Sequence, residues 1–201
     1  MNYDMYQEIG ERVSKGFALD MQGCHGVSHW ARVLQWTDWL VDHYKKECGL
    51  GGFMHNADFF DLFSLLHDSQ RDDEWSDPYH GHRAADFAAE LHSEGLIRLS
   101  DEAVKDAVLF DELYFAIKGH TEGVLPDSEA YQHAGLITKE YVNTAICWDA
   151  DALDLGRVRM SPDPRQMRTW VGKEIARGKQ YAEIDDHGPP ARWGIESLSE
   201  A

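Results

Sequence analysis

Hydrophobic residues recur along most of the chain at the spacing of amphipathic helices, and no segment shows the alternation of a strand. A first amphipathic helix is predicted over residues 3–19. The segment 28–47 is clearer, because its apolar residues form one stripe: Trp30, Val33, Leu34, Leu40, Val41 and Tyr44. Ser28 is placed to cap the start of this helix and Gly49 to end it. The pattern predicts an all-α protein.

The segment 57–68 differs from the others because it is apolar on almost every side. A helix of this kind lies inside the core. It ends with His67 and Asp68, and burying an imidazole and a carboxylate is costly unless a partner compensates them. A divalent cation is one partner that serves both groups. The end of this helix is therefore a candidate metal site, with His29 upstream and Asp151 downstream as further ligands.

Capping residues predict the remaining helices. The acidic segment 69–78 is expected to be irregular. After it, the predicted helices run from Asp77, with Pro78 at the first position, to Gly95; from Ser100 to Gly119; from Asp127 or Ser128 to about Cys147; and over a short segment near 165–178. The third of these leads into a turn that carries Asp151.

The charge balance limits the partners of this chain. Its 201 residues, enough for one domain with a substantial core, include 19 basic and 36 acidic residues, for a formal net charge of -17. Such a surface repels nucleic-acid backbones and anionic membranes, so neither is an expected partner. A small phosphorylated substrate remains compatible with this charge, because a metal ion and a few arginines reverse the local potential.

Cysteine usage and the start of the chain indicate a cytoplasmic protein. The three cysteines are an odd number and lack paired zinc-site spacing, which favours reduced thiols. The polar, charged N-terminal residues are unlike a signal peptide, and no apolar run approaches the ~20 residues that span a bilayer. The oligomeric state stays open, with a homodimer as one alternative.

Three short motifs occur in a fixed order along the chain. They are His29-Trp30-Ala31-Arg32-Val33, then Leu66-His67-Asp68, then Ala150-Asp151-Ala152-Leu153. This order resembles the HD-domain superfamily of metal-dependent phosphohydrolases, and most closely the short bacterial HD-domain hydrolases of unassigned substrate. The chain departs from the pattern at Ala152, where arginine is usual, which removes one phosphate contact.

The resemblance implies an all-α HD domain of roughly seven helices over residues 1–160, with a C-terminal extension, 161–201, packed on it. It also implies that one divalent metal is bound by four ligands, namely His29, His67, Asp68 and Asp151. Asp149 is an alternative last ligand, and the register of the family motif selects Asp151. Imidazoles combined with carboxylates suit Mn, Fe, Co, Ni or Zn better than Mg.

Two further histidines widen the predicted site. His80 and His120 each share a helix face with apolar residues, so both are expected to point inward. In HD relatives with two metals, the extra histidines come from these same regions. The resemblance therefore implies that the two residues either bind a second ion or contact the substrate phosphate. His25, one turn before His29, is a candidate to support the ligands from outside the metal site.

Catalysis and phosphate binding need further groups. The resemblance implies that Asp68 contacts both metal and water. Glu74 and Asp77, in the acidic segment, are candidates for general acid or base, with a solvated surface as the alternative. Arg71, one helical turn after Asp68, and Arg83 are candidates for phosphate binding, with surface ion pairs as the alternative.

The leading prediction is a metal-dependent phosphohydrolase that uses a metal-activated water on a nucleotide or another small phosphoester. Lys118 and Arg157 are weaker candidates for phosphate binding. No P-loop and no G-x-S-x-G elbow is present, which disfavours a P-loop NTPase and a serine hydrolase. Two alternatives stay open: a di-iron oxygenase of the HD type, and a non-catalytic module whose metal serves structure.

Overall fold

The structure, a computed structural model, describes residues 3–48, 56–122, 141–178 and 189–195. Within these ranges it contains seven α-helices and no strand, so the prediction of an all-α fold is confirmed. The helices are α1 (Tyr3–Gly16), α2 (Val27–Cys48), α3 (Ala57–Leu66), α4 (His80–Ser93), α5 (Ala103–Gly119), α6 (Val142–Leu153) and α7 (Trp170–Ala176). Two short 3-10 segments are Asp154–Val158, directly after α6, and Ala191–Trp193.

Helix α3 is the centre of the bundle. Most of its ten residues are buried, and α2, α4, α5 and α6 all pack against it. Asn56 caps its start, since its side-chain oxygen accepts a hydrogen bond from the Phe59 amide. At the other end the His67 amide donates to the Phe63 carbonyl, and Asp68 follows in a tight turn. A helix that is apolar on nearly every side thus carries this His-Asp pair into the interior.

Helix α2 begins one residue earlier than predicted. Val27 is its first residue, and the carbonyl of Gly26 accepts hydrogen bonds from the amides of His29 and Trp30. Ser28 is therefore the second residue of the helix and not its cap. His29 lies in the first turn and is buried. The predicted end at Gly49 lies outside the described residues.

Helix α4 begins later than predicted. It starts at His80 and not at Pro78, because the Asp77 carboxylate accepts hydrogen bonds from the Asp72 amide and the Arg83 guanidinium. That carboxylate is therefore not available to cap a helix. The loop before α4 is instead tied together by these contacts, which hold one wall of the cleft described below.

The other observed helix ends agree in part with those predicted from the sequence. Gly95 adopts a φ of 75° just after α4 and ends it as predicted. The Ser100 hydroxyl accepts a hydrogen bond from the Glu102 amide immediately before α5. Asp151 lies in the last turn of α6, and not in a turn after the helix. The start of this helix predicted at 127–128 lies outside the described residues.

The described part of residues 161–195 packs into the same core as the helices before it. Trp193 is fully buried, and its backbone carbonyl lies so close to Gly10 on α1 that a Cβ there would come within 1.9 Å of it. The indole N–H of Trp193 donates to Asp61 on α3 over 3.2 Å. Helix α7 packs against α2 and α6. In the described ranges no helix has the length and apolarity that a membrane crossing requires.

Candidate metal centre

Six histidine and aspartate side chains meet at one end of the bundle. They come from the first turn of α2, the end of α3 and the turn after it, the start of α4, the end of α5 and the last turn of α6. In that order they are His29, His67, Asp68, His80, His120 and Asp151. The first five have side chains at most 5% exposed, whereas 27% of the Asp151 side chain is exposed. The cluster is thus buried, with one carboxylate at its opening.

The four predicted metal ligands surround one point. His29 Nε2 lies 3.2 Å from His67 Nε2, 3.3 Å from Asp151 Oδ1 and 3.5 Å from Asp68 Oδ2. His67 Nε2 lies 3.9 Å from each of the same two carboxylate oxygens. Ligand atoms around a transition-metal ion with bonds of about 2.0–2.2 Å lie roughly 3–3.5 Å apart. The spacing of these four ligands, which form a first group, therefore fits one ion.

A second group forms on the other oxygen of Asp68. Its Oδ1 atom lies 2.9 Å from His80 Nε2 and 3.5 Å from His120 Nε2, and these two nitrogens are 2.9 Å apart. The imidazole rings of His67 and His120 have centroids 5.2 Å apart, so the two groups are adjacent. The Asp68 carboxylate therefore lies between two sets of donors, one on each oxygen.

The proton on each of the four imidazoles is on the side away from the centre. In each ring the Nδ1 nitrogen lies against an oxygen that can only accept a hydrogen bond. The acceptors are the Asp154 carboxylate for His29 (2.7 Å), the Ser64 carbonyl for His67 (3.0 Å), the Ile117 carbonyl for His120 (2.6 Å) and the Asp77 carbonyl for His80. Nδ1 must therefore donate, so in the neutral ring the Nε2 lone pair faces the centre, ready to bind a metal.

These inward lone pairs need a positive charge between them. Without one, nitrogen lone pairs at about 3 Å repel each other, and burial removes the water that would screen them. Burial lowers the pKa of His29, but hydrogen bonds to Asp151, Asp154 and Asp68 outweigh it and raise that pKa to about 10. Burial lowers the pKa of His67 to about 3. The protein's own charges thus favour a cation at His29, where a proton or a metal ion can serve.

The carboxylates of the centre stay ionised. Burial raises the pKa values of Asp68 and Asp151, but nearby histidines outweigh burial. For Asp68 the largest opposing effect is the electrostatic interaction with His67, and for Asp151 it is the hydrogen bond with His29. Both pKa values therefore lie below the ordinary aspartate value, which leaves two anionic carboxylates beside the histidines. That donor set is suited to a divalent transition metal.

Asp154 supports the centre, and the sequence reasoning missed it. Its buried carboxylate accepts the Nδ1–H of His29 on one oxygen and the Nε–H of Arg32 on the other, at 2.7 and 2.9 Å. Arg157 approaches the same carboxylate at 3.4 Å. A signal for it exists in the sequence, because Asp154 follows Asp151 by one helical turn, as Arg32 follows His29. Carboxylates that orient a metal-binding histidine are a common feature of metal sites.

Asp149, the alternative to Asp151, points away from the centre. Its two oxygens accept hydrogen bonds from the backbone amides of Arg168 and Thr169, each over 2.7 Å. Burial raises its pKa to about 6. Residues two apart on a helix lie on nearly opposite faces, so only one of these aspartates can face the histidines. In this structure that residue is Asp151.

A cleft of about 330 Å³ opens over the centre. Among the residues that line it are Asp68, His80, His120 and Asp151, together with His25, Arg71, Asp77 and Arg157. The guanidinium of Arg71 lies 3.6 Å from Asp68 Oδ1 and 3.4 Å from His80 Nε2. Arg157 donates to the carbonyls of Cys24 and Asp154 beside the cleft. Two guanidinium groups therefore border the cleft next to the candidate ligands.

Of the remaining predicted site residues, Asp77 lines the cleft, whereas Glu74, Arg83 and Lys118 are not among its lining residues. The Asp77 carboxylate pairs with Arg83. The hydrogen bonds from the Asp72 amide and from Arg83 outweigh burial and lower the pKa of Asp77 to about 2. Arg83 also donates to the Gln70 carbonyl, so its guanidinium holds the loop together and does not reach the ligands. Glu74 lies 4.0 Å from His25 Nε2. Lys118 lies over the Tyr114 ring.

Comparison of the chain with protein-family models, with curated proteins and with solved structures finds no match. The family resemblance of the three motifs therefore stays a prediction. The described residues do contain buried clusters of histidine and aspartate that could hold a metal ion.

Proposed function

We propose that this protein is a metal-dependent phosphohydrolase that acts on a small phosphoester. One observation carries the proposal: four imidazoles, each with its Nδ1–H directed outward, turn their Nε2 atoms toward the two oxygens of one buried carboxylate, Asp68. A purely structural cluster has no need of four inward lone pairs. The arrangement is instead suited to one ion held by His29, His67, Asp68 and Asp151. A second ion could be held by His80 and His120 together with Asp68.

The donor set favours Mn, Fe, Co, Ni or Zn over Mg, because imidazole nitrogens dominate it. A divalent ion held here would polarise a phosphoryl oxygen and lower the pKa of a water molecule. The opening of the centre lies on the side of Asp151, whose carboxylate is partly exposed. Substrate would therefore approach through the cleft, past Asp151.

Arg71 and Arg157 supply the positive charge that a phosphate needs in an otherwise acidic molecule. Each guanidinium borders the cleft, and Arg71 is within 4 Å of Asp68, so a phosphoryl group at the centre would lie within its reach. Guanidinium groups bind phosphate oxygens in a bidentate manner. A cleft of about 330 Å³ suits a small ester or a nucleotide, and the net charge of -17 opposes a polymeric nucleic acid.

The proton that the leaving group needs would come from the rim of the cleft. His25 Nδ1 lies 3.1 Å from Asp68 Oδ2, and its Nε2 atom faces Glu74. These two residues are better placed to relay protons than Asp77, because the Asp77 carboxylate is already paired with Arg83. The proposal therefore keeps Glu74 as a candidate acid or base, adds His25, and leaves Asp77 to hold the loop.

Metal analysis followed by a substrate screen tests the proposal. Protein stripped with a chelator and reloaded with Mn, Co or Ni should release phosphate from p-nitrophenyl phosphate or a nucleotide monophosphate. His67→Ala should abolish both metal binding and turnover. The matched control is His43→Ala, since His43 lies on α2, stacked on Trp39 and outside the centre; it should keep metal and activity.

Two outcomes would replace the proposal with the alternatives. Oxygen consumption and a mixed-valent EPR signal from the iron-loaded protein, with no phosphate release, would indicate a di-iron oxygenase. Stoichiometric metal binding without turnover on a broad phosphoester panel would indicate a non-catalytic module.

A further inference from the structure

A second cluster of potential ligands includes His25, which lines the cleft, and it contains sulfur. We propose that Cys24, His25 and Glu74 form a separate metal site for a soft divalent ion such as zinc or cadmium. These three residues are called the thiolate cluster below. One atom from each lies within 4.8 Å of the other two. The site stands on its own geometry, whatever reaction the buried centre performs.

The separations between the ligand atoms of the thiolate cluster are close to those found around a bound zinc ion. The Cys24 thiol donates to Glu74 Oε2 over 3.0 Å, and His25 Nε2 lies 4.0 Å from the same oxygen. Around a tetrahedral zinc with Zn–S of about 2.3 Å and Zn–N and Zn–O of about 2.0–2.2 Å, ligand atoms lie roughly 3.3–3.7 Å apart. The two known separations, 3.0 and 4.0 Å, bracket this range, and the thiol and an imidazole nitrogen lie within 4.8 Å of each other.

The tautomer of His25 directs its lone pair to this cluster. Its Nδ1 atom lies 3.1 Å from Asp68 Oδ2 and 3.4 Å from the Arg157 guanidinium. The Nδ1 atom cannot both donate a hydrogen bond to Asp68 and accept one from Arg157. The carboxylate is nearer and can only accept, so Nδ1 carries the proton and Nε2 is left as the ligand atom facing Glu74. His29 uses the same arrangement with Asp154 in the buried centre.

The loop that carries Cys24 is held in place against Glu74. The Gly23 amide donates to the Asp20 carbonyl, and the Val27 amide donates to the Met21 carbonyl, which closes the turn before α2. A Cβ at Gly23 would come within 2.7 Å of Glu74 Oε1, so the absence of a side chain there lets the carboxylate approach the loop. The three ligand atoms are thus brought together by two segments that are far apart in sequence.

The charges and the access suit an incoming ion. One thiolate and one carboxylate carry two negative charges, which balance a divalent cation beside a neutral imidazole. The thiol proton is released to solvent when the ion binds. Cys24 is exposed and the Glu74 side chain is 32% exposed, so an ion reaches the cluster without entering the buried centre.

Occupation of the thiolate cluster should inhibit the enzyme. This consequence rests on the proposed function, because an ion bound there engages His25 and Glu74, the two groups assigned to proton transfer. Zinc beyond the amount that fills the buried centre should therefore reduce turnover, whereas the first equivalents support it.

Thiolate ligation has a spectroscopic signature that the buried centre cannot produce, because none of its ligands is a sulfur atom. Full-length protein loaded with manganese is titrated with cadmium, and thiolate-to-metal charge-transfer absorption in the ultraviolet is recorded. The wild type should show this band, saturating near one equivalent. Cys24→Ser should lose it, and Glu74→Gln should weaken cadmium binding about tenfold or more. Cys48→Ser is the matched control and should keep the band.

The outcomes separate this site from the proposed function. Absence of the band from the wild type, or its persistence in Cys24→Ser, overturns the thiolate site. If the site exists and the proposed function holds, zinc inhibits phosphoester hydrolysis by the wild type and not by Cys24→Ser, while both have the same activity without added zinc. A band without inhibition overturns the inhibitory role and retains the site. A band in a protein that hydrolyses no phosphoester supports the site and counts against the proposed function alone.

Discussion

At the scale of single residues, the position of one proton decides what each histidine can do. His29 and His67 carry their Nδ1–H toward fixed oxygen acceptors, so their Nε2 atoms face each other across 3.2 Å. A residue that never reaches the metal can therefore control the site by orienting a ligand. Asp154 is such a residue. Its carboxylate accepts a hydrogen bond from the Nδ1–H of His29 and another from Arg32.

Replacing Asp154 by asparagine should weaken metal binding about 10–100-fold, the usual effect of removing a carboxylate that orients a metal-binding histidine. The neutral amide cannot balance the charges of Arg32 and Arg157. Competition with a chromophoric chelator measures the affinity. Asp163→Asn is the control, since Asp163 pairs only with the exposed Arg165 in the contacts seen, and it should leave the affinity unchanged. Equal affinities of Asp154→Asn and the wild type would refute the role of Asp154.

At the scale of helices, the burial of α3 explains why the site is where it is. Helices on several sides cover α3, so its last turn ends inside the molecule and presents His67 and Asp68 to the ends of α2, α4, α5 and α6. Phe63 stacks on the His67 ring with a centroid distance of 5.1 Å, so the packing of this helix also sets the orientation of the ligand.

Leu65→Ala, in the fully buried part of α3, should lower the free energy of unfolding by roughly 2–5 kcal/mol, because it removes buried surface and leaves a cavity. Urea denaturation of the metal-loaded protein measures the change. Val104→Ala on α5 is the control. Val104 is 73% exposed, so the change should stay within about 0.5 kcal/mol. A loss below about 1 kcal/mol for Leu65→Ala would show that α3 is not the rigid centre described.

The contact of α5 with α6 should make stability depend on pH through Glu112. Burial raises the pKa of Glu112 to about 6, although it accepts hydrogen bonds from Asn143 and Thr144. A carboxylate whose pKa is raised on folding stabilises the fold below its unfolded pKa of about 4.3 and loses that contribution as pH rises through 6. Relative to Glu112→Gln, the wild type should therefore lose about 1–2 kcal/mol of stability between pH 4.5 and 7.

Urea denaturation of both proteins across this pH range measures the difference, in which the titration of all other groups cancels. Asp111→Asn is the control, because Asp111 is an exposed carboxylate on the same helix, and it should not change the pH dependence. A constant difference between the wild type and Glu112→Gln would mean that Glu112 titrates alike in the folded and unfolded chain.

At the scale of the whole molecule, the candidate metal centre joins the ends of five helices that are distant in sequence. A bound ion would therefore act as a cross-link of the bundle, apart from its role in the proposed reaction. The chain has a net charge of -17. A bound cation would therefore also stabilise the fold, because the cation reduces the repulsion among buried and neighbouring carboxylates. Metal and fold should therefore be linked thermodynamically.

Metal at about a hundred times its dissociation constant should stabilise the fold by about 2.7 kcal/mol. For a chain of this length that corresponds to a rise of roughly 5–10 °C in Tm. Scanning calorimetry of the protein with metal and with chelator measures the shift. The His67→Ala variant should show the same Tm in both conditions. An identical Tm for the wild type with and without metal would show that the centre does not bind the ion tightly.

The sequence by itself determined the helical class and singled out the principal candidate ligands. Helical periodicity predicted α1 and α2, and the uniformly apolar segment 57–68 predicted a buried helix ending in His67 and Asp68. Local patterns suffice here because a helix closes its hydrogen bonds within the segment, and because a buried charged pair must be compensated. The sequence pattern also predicted that His80 and His120 face inward, and in the structure both lie next to Asp68.

Only the tertiary structure decided what surrounds the ligands. The sequence left Asp149 open beside Asp151, and it did not single out Asp154 or Cys24, because the role of each depends on which face of a helix or loop meets another element. Asp77 and Arg83, predicted for catalysis and phosphate binding, pair with each other for the same reason. Charged side chains take the nearest partner in space, and spatial neighbours from separate elements are fixed by packing, which no local pattern encodes.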